Sequence, residues 1–230
     1  MTTSNATAEQ PGFDIELHEA DKPIACLILG HGAGAGKEHE FMQAMASELV
    51  AKGISTVLFN FPYMQTIKAT SKRRPPDKAD KLMSHFTAVI ETCSKDNKAL
   101  HNLPVFIGGK SMGGRMATMV YEAVSNVKGA IALGYPFHPP SKPEKTRTEH
   151  LQTASKPLLI IQGERDTFGT KSEVESYKKN GVLSSMIECS YLEDGDHSFK
   201  PRKASGKTQE EHIAKAATLT ASFIEANLNN

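Results

Sequence analysis

Three residues in this 230-residue chain, a serine, an aspartate and a histidine, have the types that acyl-transfer chemistry requires. Ser111 lies between Gly109 and Gly113, after an apolar run at 105–107 and before a helical pattern that starts at 115. A serine at such a strand-to-helix turn projects its hydroxyl from the sheet edge, and the glycines relieve backbone crowding there. Asp166 and His197 each follow a later predicted strand. Ser111 is then the predicted nucleophile, His197 the general base, and Asp166 the group that orients the imidazole.

The identity of the acid stays open at this point because several carboxylates compete for it. Glu164 precedes Asp166 by two residues, and Asp194 and Asp196 stand close to His197 in the chain. Asp166 is favoured because a few residues beyond the strand end leave the side chain room to reach across.

A glycine-rich loop supplies the other part that this chemistry needs. Two backbone N–H groups must face the oxygen on which negative charge develops, one from the residue after the nucleophile and one from a loop after an earlier strand. Met112 follows Ser111, and the predicted strand at 24–29 ends in the loop 30–36. We therefore predict Met112 and Ala33 as the two donors, with Gly34 as an alternative to Ala33. His31 is expected to brace the loop.

The same loop partly matches a dinucleotide-binding pattern through Gly30, Gly32 and Ala35. The next predicted strand ends in Asn60, with no acid to bind a ribose, and nucleotide binding leaves the serine, aspartate and histidine unexplained. A P-loop fails because Glu38 stands where Ser or Thr is required, and no HExxH motif is present. The sequence therefore predicts neither a cofactor nor a metal ion.

Alternating strands and helices are predicted to position these residues. Strands are predicted at 13–17, 24–29, 54–59, 105–107, 127–133, 157–162 and 185–192. Helices are predicted at 38–52, 79–94, from 115 onward, at 172–179 and at 210–226. This alternation indicates an α/β fold with a mostly parallel sheet and helices on both faces, in which loops at the carboxyl edge converge on one crevice.

Two long connections separate these elements. The polar segment at 60–78 is predicted to be a loop, and the connection at 134–156 is too short for a large cap domain. Tyr63, Phe137 and His138, which these connections carry, are predicted near the rim of an open cleft. The two aromatic rings would give apolar contact to a substrate, and packing of the loops onto the domain is the alternative.

The composition of the chain limits the classes of binding partner that it favours. The formal net charge is +1, which disfavours nucleic acid and anionic membrane surfaces as partners. Three cysteines without metal-binding spacing suggest reduced thiols and a cytoplasmic location. Neither a signal peptide nor a membrane span is expected. Residues 1–12 are predicted to be a flexible N-terminal tail and 13–230 a single domain, with no indication of oligomeric state.

From about residue 13 onward, the chain resembles an α/β-hydrolase. The resemblance rests on the glycine-rich loop at 30–36, the Ser111 turn and the segments around Asp166 and His197. The chain is most similar to the dienelactone-hydrolase-related branch that includes testis-expressed protein thirty and the hydrolase-like domain of a regulatory NSL complex subunit. The segments that carry this similarity are 59–63 (FNFPY), 74–77 (RPPD), 109–115 (GKSMGGR) and 135–140 (YPFHPP). Ser111 stands where dienelactone hydrolases carry cysteine, which argues against a lactone substrate.

The resemblance implies an intact Ser-His-Asp set, since all three positions match in type. We expect a serine hydrolase of the esterase or thioesterase type, which cleaves a small to medium acyl ester through a covalent acyl-enzyme and has this small molecule as its partner. Some relatives serve as scaffolds in complexes, so a binding or scaffold protein with little or no turnover is the alternative.

Overall fold

The computed structural model describes residues 12–96, 100 and 102–229. The predicted tail at 1–12 lies outside these residues, apart from Gly12. The strands are β1 (Ile15–His18), β2 (Ala25–Gly30), β3 (Ile54–Phe59), β4 (Val105–Lys110), β5 (Val127–Leu133), β6 (Leu158–Gly163) and β7 (Ile187–Leu192). The helices are α1 (Glu40–Val50), α2 (Pro62–Thr70), α3 (Ala79–Asp96), α4 (Met112–Val120), α5 (Lys171–Lys179) and α6 (Gln209–Ala226).

The strands form a seven-stranded sheet in the order β1-β3-β2-β4-β5-β6-β7. β1 pairs antiparallel with β3, and the other neighbouring pairs are parallel. The prediction of a mostly parallel α/β sheet is confirmed. The chain leaves β2 toward β3 and then crosses back to β4, so the direction of winding reverses at β2. Ligands of such sheets bind in the crevice at this reversal, outside the carboxyl ends of the strands.

Helices cover both faces of the sheet, and this explains why the sequence of β2 is continuously apolar. All six of its residues are buried. Cys26 and Ile28 point into one apolar cluster, which includes residues of α3 and α4. Leu27 and Leu29 point into the other, which includes residues of α1 and α6. Successive side chains of a strand face opposite ways, so both sets must be apolar when both faces are covered.

The segment at 60–78 differs from the prediction of a loop, because it contains α2. Pro62 occupies the first turn of this helix, where its missing N–H costs nothing. Tyr63 and Met64 are buried against the domain, whereas the second half of the helix is polar and more exposed. The segment was predicted as a loop because it is polar and rich in Pro and basic residues, and only one turn of α2 is apolar.

The connection at 134–156 carries a single short helical turn, Glu149–Leu151, and no large cap domain. The carboxyl edge of the sheet is therefore not covered by a separate layer. Among the described residues, no helix has the length and apolar character needed to cross a bilayer.

Candidate active site

Ser111 occupies a strained turn between β4 and α4. Its φ of 52° and ψ of −112° lie in a region that side chains rarely adopt. The turn brings α4 so close to the end of β2 that a Cβ on Gly113 would lie 2.2 Å from the Gly30 carbonyl oxygen. A Cβ on Gly109 would lie 2.4 Å from the same oxygen. Only glycine fits at both positions, and this packing directs the serine side chain out of the sheet edge.

The structure brings Ser111, His197 and Asp166 into one hydrogen-bonded chain. The Oγ of Ser111 lies 2.9 Å from Nε2 of His197, and Nδ1 of His197 lies 2.8 Å from Oδ2 of Asp166. A carboxylate accepts hydrogen bonds, so it fixes the proton on Nδ1 and leaves Nε2 free to accept from the serine hydroxyl. The three residues come from loops after β4, β7 and β6, as their order along the chain predicts.

Asp166 is fully buried, and its carboxylate is oriented by further donors. Its Oδ1 accepts a hydrogen bond from the backbone N–H of Phe168 at 2.8 Å, and its Oδ2 accepts one from Nε2 of Gln162 at 2.9 Å. The ring of Phe168 also packs against His197, with centroids 4.3 Å apart. These contacts hold the carboxylate and the imidazole in fixed relative positions.

The competing carboxylates have other partners. Glu164 pairs with Lys171 at 2.9 Å. Asp194 pairs with Arg165 at 3.0 Å and also with Arg202. Asp196 accepts backbone N–H groups of its own loop, from Ser198 at 2.8 Å and Lys200 at 3.0 Å. Of the four carboxylates considered, Asp166 is therefore the one that hydrogen-bonds to His197.

The loop after β2 lies beside Ser111, and the buried side chain of Tyr63 contacts it. A Cβ on Gly32 would lie 3.8 Å from the Ser111 Cβ. The hydroxyl of Tyr63 contacts the carbonyl oxygens of Gly32 and Ala33 at 3.2 and 2.9 Å. Since all the peptide bonds described are trans, each of these carbonyls points opposite to the N–H that follows it. The N–H groups of Ala33 and Gly34 therefore face away from the buried tyrosine.

His31 braces the same loop as a neutral group. Its Nε2 accepts the backbone N–H of Phe61 at 3.1 Å, which places the proton on Nδ1, and Nδ1 donates to the Gly32 carbonyl at 2.7 Å. Burial lowers the pKa of His31 to about 4, because the charged form is poorly solvated there. On the other side of the crevice, Met112 opens the first turn of α4, where backbone N–H groups lack partners within the helix.

Lys110, the residue before Ser111, also contacts the loop after β7 that carries His197. Its Nζ donates to the backbone carbonyl oxygen of His197 at 2.6 Å and lies 5.6 Å from the ring centroids of both Phe41 and Phe199. Desolvation lowers the pKa of Lys110 to about 8, although Asp166 and Asp196 raise it in part. From the sequence, Lys110 could favour an acidic substrate, but its contact with the His197 carbonyl was not predicted. A lysine at the end of a buried strand was the available signal.

The three residues predicted near the rim lie beneath the surface instead. Tyr63 and Phe137 have no exposed surface, and His138 is 2% exposed. Phe137 packs against Tyr135 and Tyr177, with ring centroids 4.8 and 5.6 Å apart. Both aromatic rings thus pack their segments onto the domain, which was the alternative. A single sequence cannot tell an aromatic residue that faces a cleft from one that faces the core.

Residues 23–225 match the family of the alpha/beta hydrolase domain. The chain belongs to the alpha/beta hydrolase family. Among solved structures, this hydrolase is similar to the dienelactone hydrolase of Anabaena variabilis, with a TM-score of 0.70 and 18% identity over 100% of this chain and 98% of that one. Est1E of Butyrivibrio proteoclasticus, solved with ferulic acid bound, gives a TM-score of 0.69 and 13% identity over 95% and 96% of the two chains.

A third similar structure is described as a lidless alpha/beta serine hydrolase, from Xanthomonas campestris, with a TM-score of 0.68 and 16% identity over 95% of this chain and 90% of that one. The alpha/beta hydrolase resemblance drawn from the sequence is confirmed at the level of the family. The family match supports hydrolase activity for this chain, and the similar structures show the same fold.

Proposed function

We propose that this alpha/beta hydrolase is a serine hydrolase of the esterase or thioesterase type, with Ser111, His197 and Asp166 as its catalytic residues. The observation that carries the proposal is the hydrogen-bonded chain from the Ser111 hydroxyl through His197 to the buried Asp166. A serine hydroxyl is a weak nucleophile unless a base removes its proton, and this geometry supplies that base.

The first half of the reaction transfers the acyl group to the protein. As Ser111 Oγ bonds to the carbonyl carbon, its proton passes to Nε2 of His197, and the carbonyl oxygen becomes an oxyanion. The N–H groups of Met112 and Ala33, or Gly34, are the proposed donors to this oxyanion. The bond to the leaving group then breaks, the protonated His197 donates its proton to that group, and an acyl-serine ester remains.

The second half returns the protein to its starting state. A water molecule gives a proton to His197 and attacks the acyl-serine carbonyl. The tetrahedral intermediate collapses, the acid departs, and Ser111 regains its proton from His197. Asp166 accepts the Nδ1 hydrogen bond throughout and stabilises the positive charge that the imidazole carries in each half. A small to medium acyl ester, met in the cytoplasm, remains the proposed substrate.

Fluorophosphonate labelling tests this proposal directly. The reagent phosphonylates an activated serine with loss of fluoride, so the wild type should be labelled and Ser111→Ala should not. Ser84→Ala is the matched control, because Ser84 is exposed on α3 and its hydroxyl donates only to a backbone carbonyl of its own helix. His197→Ala should also lose labelling. Equal labelling of the wild type and Ser111→Ala would refute the nucleophile, and a well-folded wild type that resists the reagent would favour the scaffold alternative.

A further inference from the structure

The side chain of Lys110 links separate parts of the site, although the proposed reaction does not use it. Its stem runs beside the loop after β2, since a Cβ on Gly32 would lie 3.9 Å from Lys110 Cγ. Its ammonium lies at the end of β5, where a Cβ on Gly134 would lie 2.9 Å from Nζ. Nζ donates there to the carbonyl oxygen of His197 at 2.6 Å. One side chain thus reaches from the loop beside the nucleophile to the loop that carries the base.

Gly134 leaves the space in which this contact forms. Its φ of 66° lies in the left-handed region, which favours glycine. A Cβ there would also lie 3.1 Å from the carbonyl oxygen of His197 and 3.5 Å from its Nδ1. The ammonium of Lys110 and the backbone and ring of His197 therefore surround one point at the end of β5. The lysine is thus a direct neighbour of the proposed base.

A lysine is costly at this position. An ammonium can donate three hydrogen bonds, but among the described residues the carbonyl oxygen of His197 is the one acceptor within reach of Nζ, and no carboxylate lies within 4.0 Å of it. Cation–π contacts with Phe41 and Phe199, at 5.6 Å, offset part of the lost solvation. A methionine would keep most of the stem without a charge, so stability alone favours an apolar residue here. Residues that conflict with their surroundings in this way are typical of functional sites.

Lys156 shows how a lysine that only supports the fold is bound in this protein. Its Nζ donates to the carbonyl oxygens of Tyr121, Val124 and Val127, at 3.1, 2.9 and 3.2 Å. Its ammonium therefore has an acceptor for each of its three protons. Lys156 stands just before β6, at the amino edge of the sheet, and so on the side opposite to the site. Lys110 has one acceptor instead of three, and that acceptor belongs to the proposed base.

We propose that Lys110 is a positioning residue: its ammonium holds the backbone of His197 where the imidazole reaches both Ser111 and Asp166. Lys110 ends β4, a strand that is paired on both sides and leads directly into the nucleophile. The contact therefore ties the loop after β7 to the strand that carries Ser111. Nζ is engaged by a backbone carbonyl, so the lysine acts through the base and not on a charged substrate. The inference rests on the proposed function, since it assigns a positioning residue to that same reaction.

Steady-state kinetics of Lys110→Met test this role. The substrate is a neutral ester, p-nitrophenyl butyrate, so that a loss of activity cannot come from the binding of a charged group. We expect kcat to fall about tenfold to a hundredfold, because a small misplacement of a catalytic group has an effect of this size. KM should stay near the wild-type value, since His197 acts in both halves of the reaction. Lys156→Met is the matched control and should keep the wild-type kcat.

Unfolding in denaturant separates a positioning role from a structural one. Lys110→Met removes a poorly solvated charge, so its unfolding midpoint at neutral pH should lie at a higher denaturant concentration than that of the wild type. Lys156→Met removes three hydrogen bonds, so its midpoint should be lower. The first variant should thus gain stability and lose activity, whereas the second should lose stability and keep activity. A Lys110→Met variant that fails to fold, or that loses stability along with activity, would show a structural role and overturn the proposal.

A proton resonance reports on the position of His197 without any substrate. The proton on Nδ1, which is hydrogen-bonded to the Asp166 carboxylate at a heavy-atom distance of 2.8 Å, should give a signal far downfield in the NMR spectrum. Its absence from His197→Gln assigns it. The signal should shift or broaden in Lys110→Met, because the loop that carries the imidazole has lost its anchor. In Lys156→Met it should match the wild type.

Kinetics and NMR together separate this inference from the proposed function. A resonance that changes in Lys110→Met, in a protein that cleaves no ester and resists the fluorophosphonate, would sustain the positioning of His197 by the lysine and refute the hydrolase proposal. Ester cleavage by the wild type, with either kcat or the resonance unchanged in Lys110→Met, would leave the hydrolase proposal in place and overturn the role of Lys110.

Discussion

His197 is held from several sides, and each contact restricts a different degree of freedom. Asp166 binds Nδ1 and fixes the tautomer, while Ser111 lies at Nε2. The Phe168 ring packs against the imidazole, and the Lys110 ammonium holds the backbone carbonyl of the same residue. Under the proposed function, a base held in this way needs little reorganisation before it accepts a proton, and such preorganisation speeds proton transfer.

Replacement of Asp166 by Asn tests the role of the carboxylate. The amide can donate to Nδ1 and thereby favour the wrong tautomer, so we expect kcat to fall by about three to four orders of magnitude. The comparison is kcat of Asp166→Asn and of the wild type on an activated acyl ester. Glu164→Gln is the matched control and should retain most of the activity, because Glu164 pairs with Lys171 and not with His197. Similar losses in the two variants would contradict the assignment of the acid.

The sequence was informative about Ser111, Asp166 and His197 because each follows a predicted strand. The carboxyl ends of parallel strands meet at one edge, so order along the chain is enough to bring such residues together. It was uninformative about Tyr63 and Phe137, which are buried although they were predicted at the rim. The orientation of these two side chains depends on how the connections at 60–78 and 134–156 fold back onto the domain. The local sequence pattern does not predict this folding.

At the level of elements, the loop after β2 depends on α2. The first turn of α2 carries Tyr63, whose hydroxyl contacts the carbonyls of Gly32 and Ala33, and His31 fixes Gly32 from the other side. The direction of the N–H groups in this loop is therefore set by a helix that packs beneath it. Because the prediction for 60–78 was a loop, this support could not be deduced from the sequence. Under the proposed function, buried Tyr63 is therefore a positioning residue.

Tyr63→Phe removes the hydroxyl and keeps the ring. The carbonyls of Gly32 and Ala33 lose their partner, so the N–H groups that follow them should be less well oriented toward the oxyanion. We expect kcat/KM to fall about tenfold to a hundredfold, less than the loss for deleting an oxyanion donor outright. A boronic acid inhibitor, which mimics the tetrahedral intermediate, should weaken in parallel.

The control for this substitution is Tyr191→Phe, which removes a hydroxyl that contacts Glu175 far from the loop. It should leave kcat/KM near the wild-type value. A Tyr63→Phe variant with unchanged activity and unchanged inhibitor affinity would show that the loop holds its shape without this hydroxyl.

For the molecule as a whole, Lys110 places an ammonium group against an apolar cluster. It lies at the end of a central strand, next to Phe41 and Phe199 of the cluster formed with α1 and α6. The contact with His197 is useful to the site, but desolvation makes the charged form costly there. Active sites commonly retain such groups at the expense of stability.

The cost predicts a pH dependence of stability. The pKa of Lys110 is lowered from 10.5 to about 8 in the folded protein, so between these values the unfolded chain binds a proton that the folded protein has released. Stability should therefore rise with pH across this window. Relative to Lys110→Met, which cannot titrate, the wild type should gain about 1 to 3 kcal/mol between pH 8 and pH 10.5.

Denaturant unfolding of both proteins at several pH values measures this gain. The advantage of Lys110→Met over the wild type should be largest below pH 8 and should shrink toward pH 10.5. Lys215→Met, which removes an exposed lysine on α6, is the control and should show no such trend. A difference between Lys110→Met and the wild type that stays constant with pH would contradict the lowered pKa.

The strand order has a consequence for the chain as the ribosome makes it. Ser111 is synthesised 86 residues before His197, which follows β7, the last strand of the sheet. Domains generally fold as units during synthesis. Under the proposed function, a nascent polypeptide in which β7 has not yet paired with β6 has the serine without its base, so it should be inert toward esters around the ribosome. Reactivity should then begin only once β7 has joined the sheet.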